Sequence, residues 1–201
     1  RLPLDAPMHV TAIRIIRAEH QALAAVLRSI LLLLEQHRRQ ASMQDFAALR
    51  AMLFYVDEFP EQRHHRKESE LLFPKLRART PQLRSLLDQL DQDHGYGERK
   101  IRHLEHALLA FEIMGESRRS LFETLAKEYV DFYLAHMAVE ERLILPLAEQ
   151  VLTGEDWSEL AEAFSAHQGP LTGHAAEPAY EALFSRIVHL VPAPIGLGEP
   201  H

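Results

Sequence analysis

Four long stretches of the chain repeat apolar residues at intervals of three and four. This interval places the apolar side chains on one face of an α-helix. The stretches run through Ile13, Ile16, Leu23, Leu27, Ile30 and Leu34; Phe46, Leu49, Leu53, Val56 and Leu71; Leu83, Leu87, Leu90, Ile101, Leu104 and Leu108; and Leu121, Leu125, Phe132, Leu143 and Leu147. The sequence therefore predicts an all-α protein, an up-down four-helix bundle with a short C-terminal tail.

Turn residues separate the four stretches. Thr80-Pro81 follows the second stretch, and residues 115–117 lie between the third and the fourth. Pro60, Pro74 and Pro146 fall inside helical patterns, and a proline in a helix interior removes a backbone donor. We expect a kink or an interruption at each of these three prolines.

The character of the sequence changes after Val151. We expect a bundle domain at residues 1–151 and a tail at residues 152–201 that packs on it. In the tail, helical patterns cover residues 157–166 and 180–190, and the Pro- and Gly-rich end from residue 192 is expected to be extended.

The composition excludes several classes of function. Lys and Arg total 22 against 29 Asp and Glu, a net charge of −7, so nucleic acid and anionic membranes are poor partners. The absence of cysteine excludes disulfides, cysteine nucleophiles, iron–sulfur clusters and thiolate metal sites, and it fits a cytoplasmic location. The longest aliphatic run, residues 30–34, is too short to span a bilayer.

A histidine interrupts the apolar face of each stretch, at His20, His64, His94 and His136. A single histidine in such a position is more often a hydrogen-bonded core residue. Four of them, one per helix, would each carry a desolvation cost unless they share a partner. A metal site built from all four removes that cost.

Two glutamates strengthen the metal hypothesis, because Glu68 follows His64 by four residues and Glu140 follows His136 by four. That spacing places imidazole and carboxylate on one face of a helix. The same offset of 72 separates the two histidines, the two glutamates and the two prolines of residues 64–74 and 136–146. Glu19-His20 similarly matches Asp93-His94 at an offset of 74. Four imidazoles and two carboxylates without thiolate predict a pair of metal ions, with iron favoured over manganese or zinc.

These residues resemble the hemerythrin-like family, also called the hemerythrin HHE cation-binding family, over residues 10–151. The resemblance implies a four-helix bundle that holds two iron ions in an oxo- or hydroxo-bridged non-haem site. The terminal ligands that it implies are His20, His64, His94 and His136, and the bridging ligands are Glu68 and Glu140.

The third helix departs from the family pattern. Hemerythrins proper carry a second histidine one turn after the first, whereas this chain has Glu98 four residues after His94. Glu98 either binds a metal ion or hydrogen-bonds to a ligand residue. On the fourth helix, Glu141 is an alternative to Glu140 as the bridge, although the repeat favours Glu140.

The remaining histidines and two glycines receive other interpretations. His65 is expected in solvent or in the layer outside the ligands, and His37, His103, His106 and His189 are expected in solvent. Gly95 and Gly97 directly follow the His94 turn and permit either close helix packing, which is favoured, or the approach of a small ligand.

The favoured function is a non-haem di-iron protein that binds or senses a small diatomic molecule such as oxygen or nitric oxide. One alternative is a di-iron oxidase, a peroxidase or an iron–sulfur repair factor, to which the extra carboxylate of Glu98 points. The other alternative is a zinc-stabilised helical module that interacts with partners through its tail.

Overall fold

The computed structural model describes residues 7–40, 45–166, 170–172 and 181–191, and within those ranges it contains helices and no strand. This confirms the all-α prediction. The four long helices are α1 (Met8–Gln40), α2 (residues 46–79), α3 (Arg84–Met114) and α4 (residues 119–151). Two shorter helices follow, α5 (Gly154–Ala166) and α6 (Glu181–Leu190).

The helices begin and end at residues suited to those positions. The carboxylate of Asp45 accepts a hydrogen bond of 2.9 Å from the backbone N–H of Ala48, which caps the start of α2. A 3₁₀ turn at Pro81–Leu83 leads into α3, and Gly115 ends α3 with a φ of +77°, a conformation that glycine adopts without strain. The breaks that the sequence predicts at residues 80–81 and 115–117 therefore lie at helix ends.

Helices α2 and α4 contain wide turns of π-helix near their prolines. In α2 these are Asp57–His64 and Glu68–Leu72, and in α4 Glu140–Ile144. The N–H of Phe73 donates to the carbonyl of Glu68, five residues back, and a matching bond joins Leu145 to Glu140. The next residue in each case is a proline, which has no N–H to donate. The chain thus accommodates its prolines by widening the helix.

The packing of the four long helices leaves a polar layer between two apolar cores. Helix α1 contacts α2 and α4, and α3 contacts the same two helices. One core contains Leu27 and Phe122, and the other contains Ile16 and Phe73. His20 lies on α1 between these two cores, so the candidate ligands are midway along the bundle.

The C-terminal helices take part in both cores. Phe164 and Trp157 of α5 join the core that contains Ile16, while Phe184 of α6 packs edge-on against Tyr55, with ring centroids 6.1 Å apart. Helices α5 and α6 fall where the sequence predicts helices in the tail. The expected extended end from residue 192 lies outside the described residues, and the domain division at residue 151 stays a prediction. Across the described ranges, every helix is too short or too polar to cross a bilayer.

Candidate metal centre

Six of the seven side chains predicted as ligands meet in the polar layer. None of the six residues is more than 7% exposed. They are His20 on α1, His64 and Glu68 on α2, His94 on α3, and His136 and Glu140 on α4. Their donor atoms form two groups that share Glu68, one with His20 and His64 and the other with His94, His136 and Glu140.

The first group joins α1 and α2. His64 Nε2 lies 3.1 Å from Glu68 Oε1, and His20 Nε2 lies 3.6 Å from the same oxygen. His20 Nε2 is also 3.3 Å from Glu140 Oε2. Ligand atoms about 2.0–2.2 Å from one ion lie roughly 3 Å apart when they are neighbours around it. These spacings therefore suit donors to a single ion.

The second group joins α3 and α4 in the same way. His136 Nε2 lies 3.0 Å from Glu140 Oε1, and His94 Nε2 lies 3.4 Å from Glu68 Oε2. The two Nε2 atoms of His94 and His136 are 3.0 Å apart. Each glutamate thus directs one oxygen at each group, which is the arrangement expected of a carboxylate between two ions.

Several of these atoms are buried without a hydrogen-bond partner in the described part of the chain. They are Nε2 of His20, Nε2 of His64, and both carboxylate oxygens of Glu68 and of Glu140. Leaving one such polar atom unsatisfied costs about 1–3 kcal/mol. Because imidazole nitrogens and carboxylate oxygens are all good metal donors, a pair of cations would satisfy the whole set. The donor set therefore fits the metal pair that the sequence predicts.

Each of the four imidazoles is held at its other nitrogen. The Nδ1 atom of His20 lies 3.1 Å from Glu141, and that of His64 lies 2.6 Å from Glu19. The Nδ1 atom of His94 lies 2.8 Å from the Ser69 hydroxyl, and that of His136 lies 3.1 Å from Asp93. An ionised carboxylate only accepts hydrogen bonds, so Nδ1 is the donor in three of these pairs. This fixes the tautomer that leaves a lone pair on Nε2, as metal-binding histidines require.

The outer partners follow the internal repeat of the sequence. Glu19 precedes His20 but holds His64, and Asp93 precedes His94 but holds His136. Ser69, which follows Glu68, contacts His94 of α3, and Glu141, which follows Glu140, contacts His20 of α1. The four hydrogen bonds therefore link the long helices pairwise into a closed ring. The sequence shows the Glu19 and Asp93 repeat but does not assign it this role.

Charge within the cluster shifts the pKa values in opposite directions. Burial alone would lower the pKa of His64 and His136, but the carboxylates of Glu68 and Glu140 outweigh it and raise the values to about 9 and about 10. Burial raises the pKa of Glu68 and Glu140, yet the histidines hold both well below 4.5. Without a metal, protons on the imidazoles balance the carboxylates, so a bound cation must displace them.

Glu98 does not join the cluster, and this corrects the expectation that it binds a metal or hydrogen-bonds to a ligand. Its side chain is 45% exposed, and its carboxylate accepts a hydrogen bond of 2.7 Å from Arg102. Gly97 faces the interior of the bundle in its place. On α4, Glu140 rather than Glu141 directs its oxygens at both groups, as the repeat favours.

Gly97 makes room for a tyrosine of α4. A Cβ at position 97 would lie 1.7 Å from the hydroxyl oxygen of Tyr133 and 2.4 Å from its Cζ. Gly95 has no such neighbour, because the nearest atom to its Cβ would be a guanidinium nitrogen of Arg99 at 3.7 Å. Close helix packing is therefore the reason for a glycine at 97 but not at 95.

His65 is a buried polar residue beside the cluster, so the expectation of a solvent position is wrong and the outer-layer expectation holds. Its ring is stacked between those of His94 and Tyr133, with centroids 4.5 and 4.9 Å away. Its Nδ1 lies 3.2 Å from Glu61, which accepts a 2.5 Å hydrogen bond from Tyr129. Burial, followed by the charge of His94, lowers the pKa of His65 to about 4. The spacing of Glu61 and His65, four residues apart, is the signal in the sequence for this pair.

The other histidines of the helices lie apart from the cluster. His103, His106 and His189 are exposed as expected, while His37 is half-buried.

A protein-family model matches most of the chain. The family described as the hemerythrin HHE cation binding domain matches residues 11–148, which is more than half of the chain. A search of curated proteins found no match.

Proposed function

The chain belongs to the hemerythrin HHE cation-binding family, and on this premise we propose that it is a di-iron protein that binds or senses oxygen or nitric oxide. The observation that carries the proposal is the set of Nε2 and carboxylate oxygen atoms that are buried close together midway along the bundle. The proposal includes the up-down course of the four long helices, whose mutual contacts support it.

In this proposal, each ion is assigned to one pair of histidines. His20 and His64 would hold one ion, and His94 and His136 would hold the other. Glu68 and Glu140, which lie between the two groups, would contribute an oxygen to each. The carboxylate partners keep three of the imidazoles in the tautomer that presents Nε2 to the metal, and the Ser69 hydroxyl orients the fourth, that of His94.

Iron is the metal that this donor set suits best. Imidazole and carboxylate donors without thiolate fit iron, and manganese or zinc are the alternatives. Two iron ions would supply redox chemistry suited to binding oxygen or nitric oxide.

The structure gives no support to the enzymatic alternative. That alternative rests on Glu98 as an additional anionic donor, and the Glu98 carboxylate lies on the surface against Arg102. Metal analysis distinguishes the remaining alternative, a zinc-stabilised interaction module, from a di-iron protein.

The experiment that tests the proposal is elemental analysis with an ultraviolet–visible spectrum, on protein from iron-sufficient cells purified in air without added metal. We expect two irons per chain and the near-ultraviolet bands of a bridged iron pair. Zinc alone, or protein without metal and colour, would overturn the di-iron proposal. The reduced protein is then titrated with nitric oxide and with oxygen. A spectral change that saturates is expected, and no change with either gas contradicts the diatomic ligand.

A further inference from the structure

A buried tyrosine lies against a buried carboxylate beside the candidate metal centre. The hydroxyl of Tyr129 on α4 donates a hydrogen bond of 2.5 Å to Oε1 of Glu61 on α2. These two residues are 3% and 7% exposed. The other oxygen of Glu61, Oε2, lies 3.2 Å from His65 Nδ1. None of the three residues belongs to the six-residue cluster, so the proposed function gives this group no role.

Aromatic rings connect Tyr129 to a candidate ligand. The ring of Tyr129 packs edge-on against that of Tyr133, with centroids 5.0 Å apart. Tyr133 stacks on His65 at 4.9 Å, and His65 stacks on His94 at 4.5 Å. These centroid distances are those of rings in contact. Because electrons tunnel readily between rings in contact, the series Tyr129, Tyr133, His65 and His94 forms a ring path to the centre.

The ring path depends on a glycine of α3. A Cβ at position 97 would lie 2.4 Å from Cζ of Tyr133, so Tyr133 reaches its place only because Gly97 has no side chain. The hydroxyl of Tyr133 lies 3.5 Å from His65 Nδ1. All four rings of the path are at most 7% exposed. The path therefore runs through the interior of the bundle.

The protonation states of Tyr129 and Glu61 suit a transfer of the proton between them. Burial, followed by the charge of Glu61, raises the pKa of Tyr129 well above 10. Burial alone would raise the pKa of Glu61, but contacts led by the hydrogen bond with His65 hold it below 4.5. At neutral pH the tyrosine therefore keeps its proton and Glu61 is ionised. A phenol that loses an electron becomes a strong acid, and Glu61 is already in place to accept its proton.

We propose that Tyr129 is a redox-active residue that supplies one electron to the candidate metal centre, with Glu61 as the acceptor of its proton. In this step the O–H bond of Tyr129 breaks and the proton moves to Glu61 Oε1. The electron leaves along the ring path to His94, and a neutral tyrosyl radical remains. The oxidant is hydrogen peroxide, which takes up two electrons and two protons to become two molecules of water.

The inference rests on the proposed function, because iron supplies the other electron. One electron comes from a half-reduced iron pair, in which one ion is ferrous and becomes ferric. Tyr129 supplies the second electron. The two protons that complete the water molecules come from solvent, while the proton of Tyr129 stays on Glu61. Peroxide is thus fully reduced although the iron pair holds only one electron to give.

The first test mixes iron-loaded, half-reduced protein with an equal amount of hydrogen peroxide and freezes it at once for electron paramagnetic resonance. We expect the signal of a tyrosyl radical, which narrows when the protein carries deuterated tyrosine. Tyr129→Phe, which keeps the ring but removes the O–H bond, should lose the signal. Tyr133→Phe, the same change one turn along α4, should keep it because the ring path stays intact. A signal of full strength in Tyr129→Phe would overturn Tyr129 as the donor.

The second test removes the proton acceptor alone. Glu61→Gln keeps an oxygen that accepts the hydrogen bond from Tyr129, but its amide does not take up the proton. We expect the radical to be lost although Tyr129 is present. Iron content and helical circular dichroism are measured for each variant and should be unchanged. A radical of unaltered strength in this variant would overturn the role of Glu61.

A third test needs no iron. The chain has no cysteine, so Ala135→Cys at an exposed position of α4 gives a single attachment point for a ruthenium photo-oxidant. A flash with an electron-accepting quencher generates the oxidised ruthenium complex, which takes the electron instead of peroxide. In the metal-free protein we expect a tyrosyl radical that is lost in Tyr129→Phe. Absence of this radical would overturn the Tyr129–Glu61 pair as an electron donor.

The outcomes separate the redox tyrosine from the proposed function. If iron is bound and peroxide yields no tyrosyl radical, this inference is wrong while the di-iron proposal stands. If the protein holds no iron, the di-iron proposal fails and with it the supply of electrons to peroxide. The photo-oxidation result then decides whether Tyr129 and Glu61 act as a donor pair.

Discussion

His64 contacts a different carboxylate with each of its ring nitrogens. Glu19 accepts the hydrogen bond from Nδ1, and Glu68 lies 3.1 Å from Nε2. The first contact orients the ring, and the second places Nε2 beside the carboxylate that lies between the two groups. Replacing this residue therefore removes a donor atom from the first group.

For His64→Ala we expect the chain to lose at least one metal ion while its helical circular dichroism is unchanged. The physical reason is that the missing imidazole leaves the first group with His20 and shared carboxylates only. The measurement is metal content per chain, with His103→Ala at an exposed position of α3 as the control that keeps both ions. Unchanged metal content in the His64 variant would contradict the assigned site.

The two glycines after His94 give a matched pair of substitutions. Gly97→Ala forces a methyl group against the ring of Tyr133, and we expect it to lower the free energy of unfolding by about 1–3 kcal/mol. Gly95→Ala meets only the Arg99 guanidinium, at an ordinary contact distance of 3.7 Å, and should raise it by up to about 1 kcal/mol through helix propensity. Urea denaturation measures both. Equal effects of the two substitutions would show that Tyr133 does not pack as described.

The predictability of these residues from sequence follows from helix geometry. A spacing of four on a helix places His64 and Glu68 on one face whatever surrounds them, so that pair is predictable. The same spacing also suggests Glu98, which the structure places outside the cluster. At this turn of α3, Gly97 faces Tyr133 of α4 while Glu98 pairs with Arg102, and sequence spacing contains no information on such contacts between helices.

At the scale of helices, the wide turns lie at the candidate ligands. One π turn ends at His64, another begins at Glu68, and the third begins at Glu140. Such turns occur often at functional sites. The prolines of the sequence predict irregular helices here, but whether a helix kinks, breaks or widens depends on how its neighbours pack. That outcome is therefore visible only in the structure.

Helix α5 contributes to the same region from outside the four long helices. The ring of Phe164 is fully buried, 5.9 Å from the His64 ring and 4.5 Å from the Lys67 ammonium group. The tail is predictable as helical from its pattern. The placement of its apolar face on α1, beside the candidate metal ligands, is a result of tertiary packing.

For Phe164→Ala we expect the free energy of unfolding to fall by about 3–5 kcal/mol, the usual cost of removing a buried aromatic ring. Trp157, the one tryptophan of the chain, lies on the same helix and reports unfolding by fluorescence. Glu162→Ala, at an exposed position of α5, is the control and should change stability little. A loss below about 1 kcal/mol would mean that α5 is not part of the folded core.

At the scale of the whole molecule, the cluster couples stability to pH. The pKa values of His64 and His136 rise to about 9 and about 10 on folding, above the value of about 6.5 in an unfolded chain. The stability from their charge pairs is therefore complete below about pH 6.5 and is lost as the pH rises through 9 to 10. The pKa values of Glu68 and Glu140 are lowered on folding. The stability from the same charge pairs is therefore complete above about pH 4.5 and is lost as the pH falls below that value towards the lowered pKa values.

We expect the metal-free protein to melt at its highest temperature between about pH 5 and 6.5 and at lower temperatures towards pH 10. The stabilisation by bound metal should increase over the same range, because metal binding releases the imidazole protons. Melting curves with and without metal at several pH values measure both trends. In a Glu68→Gln/Glu140→Gln double variant, the metal-free protein should lose much of its pH dependence. Parallel curves for the metal-free and metal-loaded protein would contradict the coupling.

The offsets of 72 and 74 residues mean that each half of the chain carries its own two cluster imidazoles and its own cluster glutamate. A substitution in one half leaves the cluster side chains of the other half in the sequence. The chain already differs between its halves, with Leu23 against Gly97 and His65 against Met137. The halves are nevertheless not independent, because His65 of the first half stacks on His94 of the second, so divergence in one half also changes the surroundings of the ligands in the other.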